Sequence, residues 1–286
     1  LIDLHTHTTA SDGRCSPAEL VARARAAGVD VLSVTDHDTT ASAGAASAAC
    51  ASAGVEFVPG IEITAVIDGK DVHVLGYFID PNAASLEAFL VEQRRRRVDR
   101  LRQIIDRLAG HGIVLDADAV LQPGRDDASK AAGRPWVARA LVAEGHVADT
   151  KEAFDRFLAA GKLAFVPRIG PVPADVFRRI HRAGGIASLA HPGLLGRDYL
   201  IPRFVRHGLD ALEAYHGKHA PDDTTRYLAI ADRYGLAISG GSDYHADPSH
   251  DTGGPGSVSL APEAFQLLKD RCAARRATAS GEATSS

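Results

Sequence analysis

Strand-like and helix-like segments take turns along this chain in short units. "VDVLSVTDHD" is a strand segment whose nearly continuous apolar residues suit a parallel sheet buried on both faces. "LIDLH", "IASLAHPG", "LDALEAYH" and "LAISGGSDYH" read as further strands. "VEFVPGIEITAVIDGKDVHVLGYF" reads as two strands joined by a turn at Asp68-Gly69. Helical segments lie between. "SPAELVARARAAG" has a Ser cap, Pro at the first helical position, a Glu placed to complete a capping box and a closing Gly. "TASAGAASAACASAG", "PADVFRRIHRAGG" and "DDTTRYLAIADRYG" are the others. Repeated units of this kind predict an α/β chain and a β/α barrel of irregular form.

The alternation stops between 81 and 162, where helical patterns dominate: "SLEAFLVEQRRRRVDRLRQIIDRLAGHG", "GRPWVARALVAEG" and "TKEAFDRFLAAGK". We expect a helical insertion over 81–162 that divides a barrel made of 1–80 and 163–276. The small polar residues of 277–286 are expected to form a disordered tail. With 286 residues, 45% of them hydrophobic, the chain can bury a large core.

Charge narrows the function. The 32 basic and 36 acidic residues leave a formal charge of -4, so no global basic field serves long nucleic acid or an anionic membrane. An anionic ligand must be held by local cations. Cys15, Cys50 and Cys272 are odd in number and far apart, which excludes a disulfide framework or thiolate metal knuckle and fits a cytoplasmic setting. The sequence shows no apolar run of membrane-spanning length and no leader, so no membrane association is expected, and nothing signals an obligate protein partner.

The polar residues at the strand ends form a pattern. "LIDLH" runs into His5 and His7, with Asp12 in the next loop; "TDHD" offers His37. The third apolar segment runs into Glu62, and its hairpin partner carries His73. "IASLAHPG" offers His191, and "GSDYH" offers Asp243 and His245. In a parallel barrel the carboxyl ends of the strands share one face, and residues two apart on a strand share a side. Imidazoles and carboxylates without thiolates suit Mn, Zn or Fe. Nine such groups exceed what one catalytic ion requires and imply two or three ions. Metals so placed can activate water, hold phosphoryl oxygens and stabilise a leaving alkoxide, as phosphoester hydrolysis requires. Among the other histidines, His111, His146, His181 and His250 are expected to be solvated, and His216 lies just past a strand end.

"DLHTHTTASDG", "SVTDHDT", "GIEIT", "HVLGYF", "LAHPG" and "GSDYH" resemble the motifs of the PHP (polymerase and histidinol phosphatase) family, and their spacing spans the chain. The resemblance implies a distorted (β/α)7 barrel with up to three metal ions, Mn2+ first with Zn2+ or Fe2+ as alternatives. It implies that His5, His7, Glu62 and Asp243 hold one ion, and that Glu62 bridges to a second held by His73 and His191. Asp12, His37 and His245 would hold a third ion or face substrate phosphate. Asp12, His37, Glu62 and Asp243 are the expected catalytic members. "GRPWVARALVAEG", "FLAAGKLAFVPR" and "LEAYH" resemble the subgroup that removes the 3'-phosphate of nucleoside 3',5'-bisphosphates, some of whose relatives trim short RNA from the 5' end. A histidinol-phosphatase-like monoesterase fits the insertion less well.

Cations near the insertion support an anionic substrate. Arg134 stands beside Pro135 at a helix start, Arg139 follows, and Lys162 and Arg168 flank "LAFVP". With Asp12, His37 and His216 they are the candidate substrate contacts. "QRRRRVDR" (93–100) is mid-helix, so its arginines spread around the circumference and are expected to form a solvated face. Trp136 is expected to pack the insertion on the barrel. The expected reaction is attack of metal-bound hydroxide on the 3'-phosphorus, with His207 or a metal-bound water protonating the leaving group. A 5'-3' exoribonuclease acting on short RNA is the near alternative. A binding domain without turnover is the distant one, and nine retained ligands argue against it.

Overall fold

The computed structural model describes residues 1–283. Seven strands form one sheet in chain order: β1 (Ile2–Asp3), β2 (Val31–Val34), β3 (Glu56–Ile67), β4 (Lys70–Tyr77), β5 (Ile186–Leu189), β6 (Ala211–His216) and β7 (Ala237–Gly241). Neighbours pair in parallel except where β4 runs against both β3 and β5. The sheet curls into a nearly closed barrel whose seam lies between β7 and β1. Leu4 N–H donates to Gly240 O, Asp243 N–H to His5 O at 2.8 Å, and His7 N–H to Tyr244 O at 2.9 Å across that seam. Gly241 is required there, because a Cβ on it would come within 2.4 Å of His5 N. The expected distorted seven-stranded barrel is therefore what the chain forms.

Local chemistry sets the elements. Helix α1 (Pro17–Ala26) starts in a capping box between Ser16 and Glu19, and α2 (Ala43–Ala53) ends on left-handed Gly54. Asp68 and Gly69, at φ 50° and 70°, turn β3 into β4 as the sequence predicts. Between β4 and β5 come α3 (Ala84–Ala109), α4 (Ala117–Asp126), α5 (Arg134–Ala143), α6 (Thr150–Ala153), a π-helical turn over Phe154–Leu158, and α7 (Pro173–Arg182). Later helices are α8 (Pro192–Leu195), α9 (Ile201–Arg206), α10 (Pro221–Tyr234) and α11 (Pro262–Ala283). Helix α11 carries 277–283 in helical form, where the sequence reading expects disorder; its alanines favour the helix. The remainder of that expected tail, 284–286, lies outside the described residues.

Helix α3 joins two cores. Leu86 and Leu90 pack with Ile61, Val74, Phe177 and Ile180 against the barrel. Leu101, Ile104, Ile105 and Leu108 pack instead with Trp136, Val137, Leu141 and Leu158 among the inserted helices. Each fully buried leucine or isoleucine contributes roughly 1.5–3 kcal/mol, so both cores hold the helix firmly. Trp136 Nε1 also donates to Ser11 O at 2.9 Å, which ties the insertion to the loop after β1. No helix among the described residues is long and apolar enough to cross a membrane.

Candidate metal centre

The nine predicted side chains meet at the carboxyl end of the barrel. Seven of them are buried; His73 and His191 are half-buried. Glu62 stands in the middle. Its Oε2 lies 3.3 Å from His5 Nε2, 3.3 Å from His7 Nε2 and 3.1 Å from His37 Nδ1. Its Oε1 lies 2.8 Å from His73 Nδ1 and 3.2 Å from His191 Nε2. Asp243 Oδ1 faces His5 and His7 at 3.3 Å each. Asp12 faces His37 at 3.6 Å and His245 at 3.5 Å.

Glu62 and His73 are inside strands rather than at their ends. Strand β3 overshoots the barrel, so its middle is level with the tips of its neighbours, as a parallel bridge between His37 and Glu62 shows. Strand β4 runs backwards, which brings His73 opposite Thr64 and back to the same level. Two of the residues, His191 and Asp243, have positive φ of 27° and 54°. Side chains with a Cβ avoid that region, and strain of this kind gathers at functional sites.

A second ring of groups holds the first. Glu213 on β6, which the sequence reading passed over, accepts from His5 Nδ1 at 2.9 Å and from His191 N–H at 2.6 Å. "LEAYH" carried its signal: a carboxylate alternating with small residues on a buried strand. Asp36 accepts from Thr8 N–H, Thr8 Oγ1, Ser11 Oγ and Ser42 Oγ, fixing the loop that carries Asp12. His216 lies buried behind Asp243, 3.2 Å from its Oδ2.

The electrostatics are those of a cage. Burial works against ionised Glu62, Asp12 and Asp243, yet the surrounding histidines hold all three well below the usual carboxylate range. Burial also opposes charge on His7, but Asp243 and Glu62 hold it up at about 10. His37 goes the other way: burial keeps it well below the ordinary imidazole value despite Glu62 and Asp12. His7 Nδ1 and Nε2, His37 Nδ1 and His73 Nδ1 are close to carboxylate oxygens but not aligned to bond them, so these buried nitrogens make no hydrogen bond among the described residues. Orphaned buried nitrogens are costly unless something else satisfies them. Divalent ions fit that role, and the ligand atoms gather in groups suited to them: His7, Asp12, His37 and His245; His5, His7 and Asp243; His37, Glu62 and His73. The cysteines are free and buried elsewhere.

A cavity of about 380 Å³ opens over this cluster. Arg134 and Arg168 line it, as do Arg97, Lys151, Phe154 and Lys218. Arg134 Nη1 donates to Leu158 O at 3.1 Å, and Arg168 lies 3.5 Å from Asp71 and 3.8 Å from Asp38. Lys162 is exposed and outside the cavity lining. Arg139 lies behind the Asp12 loop, its Nη1 donating to Asp12 O at 3.2 Å.

The structure corrects three expectations. The run at 93–100 is not a solvated face throughout: Arg94, Arg97 and Arg100 are buried. They fall three residues apart on the side of α3 that meets the barrel. Arg97 Nε donates to Asp38 at 2.5 Å and its Nη2 to Thr64 Oγ1 at 3.1 Å. His207 is exposed on the turn after α9 that enters the amino end of β6, remote from the cavity. His181 is paired with Asp210 at 2.7 Å rather than solvated.

Comparison with known proteins agrees with this geometry. The PHP domain model matches residues 3–153. The chain belongs to the PHP family. A 3',5'-nucleoside bisphosphate phosphatase from Chromobacterium violaceum is 36% identical over 250 residues, covering 86% of this chain and 87% of that one. A 5'-3' exoribonuclease from Escherichia coli is 34% identical over 255 residues, covering 86% and 85%. A Bifidobacterium adolescentis structure assigned as a metal-dependent phosphoesterase superposes with TM-score 0.87 and 31% identity, covering 94% of this chain and 95% of that one. The protein is a metal-dependent PHP phosphoesterase, a hydrolase with side-chain clusters suited to several metal ions.

Proposed function

We propose that the enzyme removes the 3'-phosphate of nucleoside 3',5'-bisphosphates, such as adenosine 3',5'-bisphosphate, to give the 5'-monophosphate and phosphate. The observation that carries this reading is unbalanced positive charge beside the cluster. Arg97, Arg100, Arg134 and Arg168 lie together, and among the described residues only Asp38 and Asp71 form ion pairs with them. Burial pushes Arg100 down to about 9, with Arg134 and Arg168 adding to the effect; burial and Arg97 push Arg168 down to about 10. Arg100 Nη2 and Arg168 Nε are buried donors without hydrogen-bond partners among the described residues. Four cations against two anions leave a surplus that a phosphate dianion neutralises, and guanidiniums suit its geometry.

His5, His7, Glu62 and Asp243 are the proposed holders of one ion. Glu62, His73 and His191 serve a second, and Asp12, His37 and His245 a third, with manganese the favoured metal. When bound, the ions supply Lewis acidity to phosphoryl oxygens and acidify water. Arg134 and Arg168, each fixed by its own contacts, anchor the 5'-phosphate. That places the 3'-phosphoryl group toward Asp12, His37, Glu62 and Asp243, which all line the cavity. His216 positions Asp243 rather than touching substrate. The cavity has the size of a one-nucleotide site. A small nucleotide is thus the proposed partner and the cytoplasm the proposed location, in keeping with three free thiols.

The test is phosphate release by manganese-loaded enzyme from adenosine 3',5'-bisphosphate and from the 5'-monophosphate. We expect one equivalent from the first and none from the second. Turnover of the monophosphate, or none of the bisphosphate, overturns the proposal.

A further inference from the structure

Strand β6 gives no side chain to the three proposed ion sets, yet it and the turn after it hold ligands that come from other strands. Glu213 lies fully buried on it. One carboxylate oxygen accepts from His5 Nδ1 at 2.9 Å, and the other accepts from His191 N–H at 2.6 Å. Among the described residues the carboxylate has no further hydrogen-bond partner. His216 ends the strand. It accepts Lys218 N–H on Nδ1 at 3.1 Å, so its proton is on Nε2, which donates to Asp243 Oδ2 at 3.2 Å. His219 donates from Nδ1 to Ala214 O at 3.0 Å and accepts Gly193 N–H on Nε2 at 3.2 Å. Gly193 stands just past His191 and has no room for a side chain, because a Cβ there would come within 2.8 Å of the His219 ring.

These contacts are not equivalent. His216 bonds a ligand of the first ion alone, and His219 bonds only the chain that carries His191, a ligand of the second. Of the three, Glu213 alone bonds both sets. Its bond to His5 fixes the ring proton on Nδ1 and leaves Nε2, 3.3 Å from both Glu62 and Asp243, free to take a metal. Its bond to His191 N–H holds a backbone at φ 27°, a conformation that a residue with a Cβ avoids. The adjoining Ala190 N–H donates to His73 O at 3.0 Å, so both imidazoles of the second set are tied to this loop. A carboxylate serves both donors at once because it has an oxygen for each. When the His191 loop shifts, Glu213 must follow it or release it, and either disturbs His5.

We propose that Glu213 is a positioning residue that couples the first two ion sites, so that filling one orders the ligands of the other and the two ions load together. This rests on the ion sets proposed above. Glu62 is also shared between those sets, but as a ligand, and its sharing works the other way. A carboxylate that neutralises one ion has less charge to offer the next, and two like charges repel. The favourable coupling therefore comes from ordering, and it is reciprocal whichever site fills first. Glu213→Gln isolates this role. It keeps the size and shape of the side chain but leaves one oxygen for two donors, and its amide N–H groups oppose the donor that is left over.

The experiment titrates Mn2+ into chelator-stripped wild type, Glu213→Gln and His219→Ala. Calorimetry reads the affinity, and electron paramagnetic resonance separates an isolated ion, with its resolved hyperfine lines, from an exchange-coupled pair. At one equivalent of Mn2+ we expect wild type to show chiefly the pair. Glu213→Gln should show chiefly isolated ions at that loading and bind them about 10- to 100-fold more weakly, the scale of losing the outer partner of a metal ligand. His219→Ala loosens the His191 loop and leaves Glu213 in place, so it should weaken both ions together and keep the pair signal. It carries the test alone where melting curves show that Glu213→Gln does not fold. A pair that forms as readily in Glu213→Gln as in wild type overturns the coupling, as do isolated ions at one equivalent in wild type or in His219→Ala. Each of these leaves the two-ion assignment standing. A wild type that shows no pair at any loading removes that assignment, and the coupling with it.

Discussion

The two sides of the cavity are built from opposite materials. On the barrel side, carboxylates and imidazoles interleave on strand tips, and each charge has a partner within 4 Å. On the insertion side, guanidiniums from three separate segments crowd together with too few acids. The first arrangement is suited to cations and the second to an anion. A phosphoester bound with metals at one end and a free phosphate at the other needs both, so chemistry and recognition here are separable.

That separation can be broken most severely at Glu62. Glu62→Gln removes the charge that faces five imidazoles, and we expect kcat to fall at least about a thousandfold on every substrate. Chelation should do the same, with metal content and activity lost and regained together. The insertion side should behave differently. Arg134→Ala or Arg168→Ala should cost about a hundredfold in kcat/KM on adenosine 3',5'-bisphosphate, the scale of a lost charged contact, and far less on a small aryl phosphate. Equal loss on both substrates would merge the two regions into one.

A pH experiment sharpens the contrast with a smaller effect. In metal-free protein His7 is held up at about 10, so its contribution is present below the ordinary imidazole value and is lost as pH rises toward 10. Glu62, Asp12 and Asp243 are held low, so theirs is present above the ordinary carboxylate range and lost as pH falls through it. The chelated protein should therefore be most stable at about pH 5–6.5 and lose melting temperature from pH 7 upward. Loaded with manganese, whose ligands must be deprotonated, it should hold or gain stability over that range. The smallest effect expected is at Trp136→Phe. Losing the bond to Ser11 should cost about 1 kcal/mol, a few degrees in melting temperature, with modest change in turnover.

The barrel side was legible because strands write their chemistry locally. His5 and His7, or Asp243 and His245, are two residues apart, and that spacing alone puts them on one side of a strand. The β3–β4 hairpin announced itself at Asp68-Gly69. How far β3 overshoots is a matter of packing, and no sequence pattern states that Glu62 would sit mid-strand. The guanidinium side hid for a different reason. Whether Arg97 meets solvent or Asp38 depends on which face of α3 docks, and a run of four arginines reads the same either way. Helix α4 went unread because Pro123-Gly124 near its end looks like a turn. Arg139 and Lys162 had the right charge and neighbourhood, but the course of the backbone puts one behind the Asp12 loop and the other outside.

The hairpin of β3 and β4 has one more consequence, for the order in which the ribosome delivers the site. His5, His7, Asp12, His37, Glu62 and His73 are all synthesised before the first inserted helix, and only His191, Asp243 and His245 come after it. Two-thirds of the cage can thus meet on a nascent chain while the arginines that pair with Asp38 and Asp71 are still unmade. Asp243 and His245 follow the last strand, so closing the seam between first and last strands makes completion of the ligand set a late event in the protein's birth.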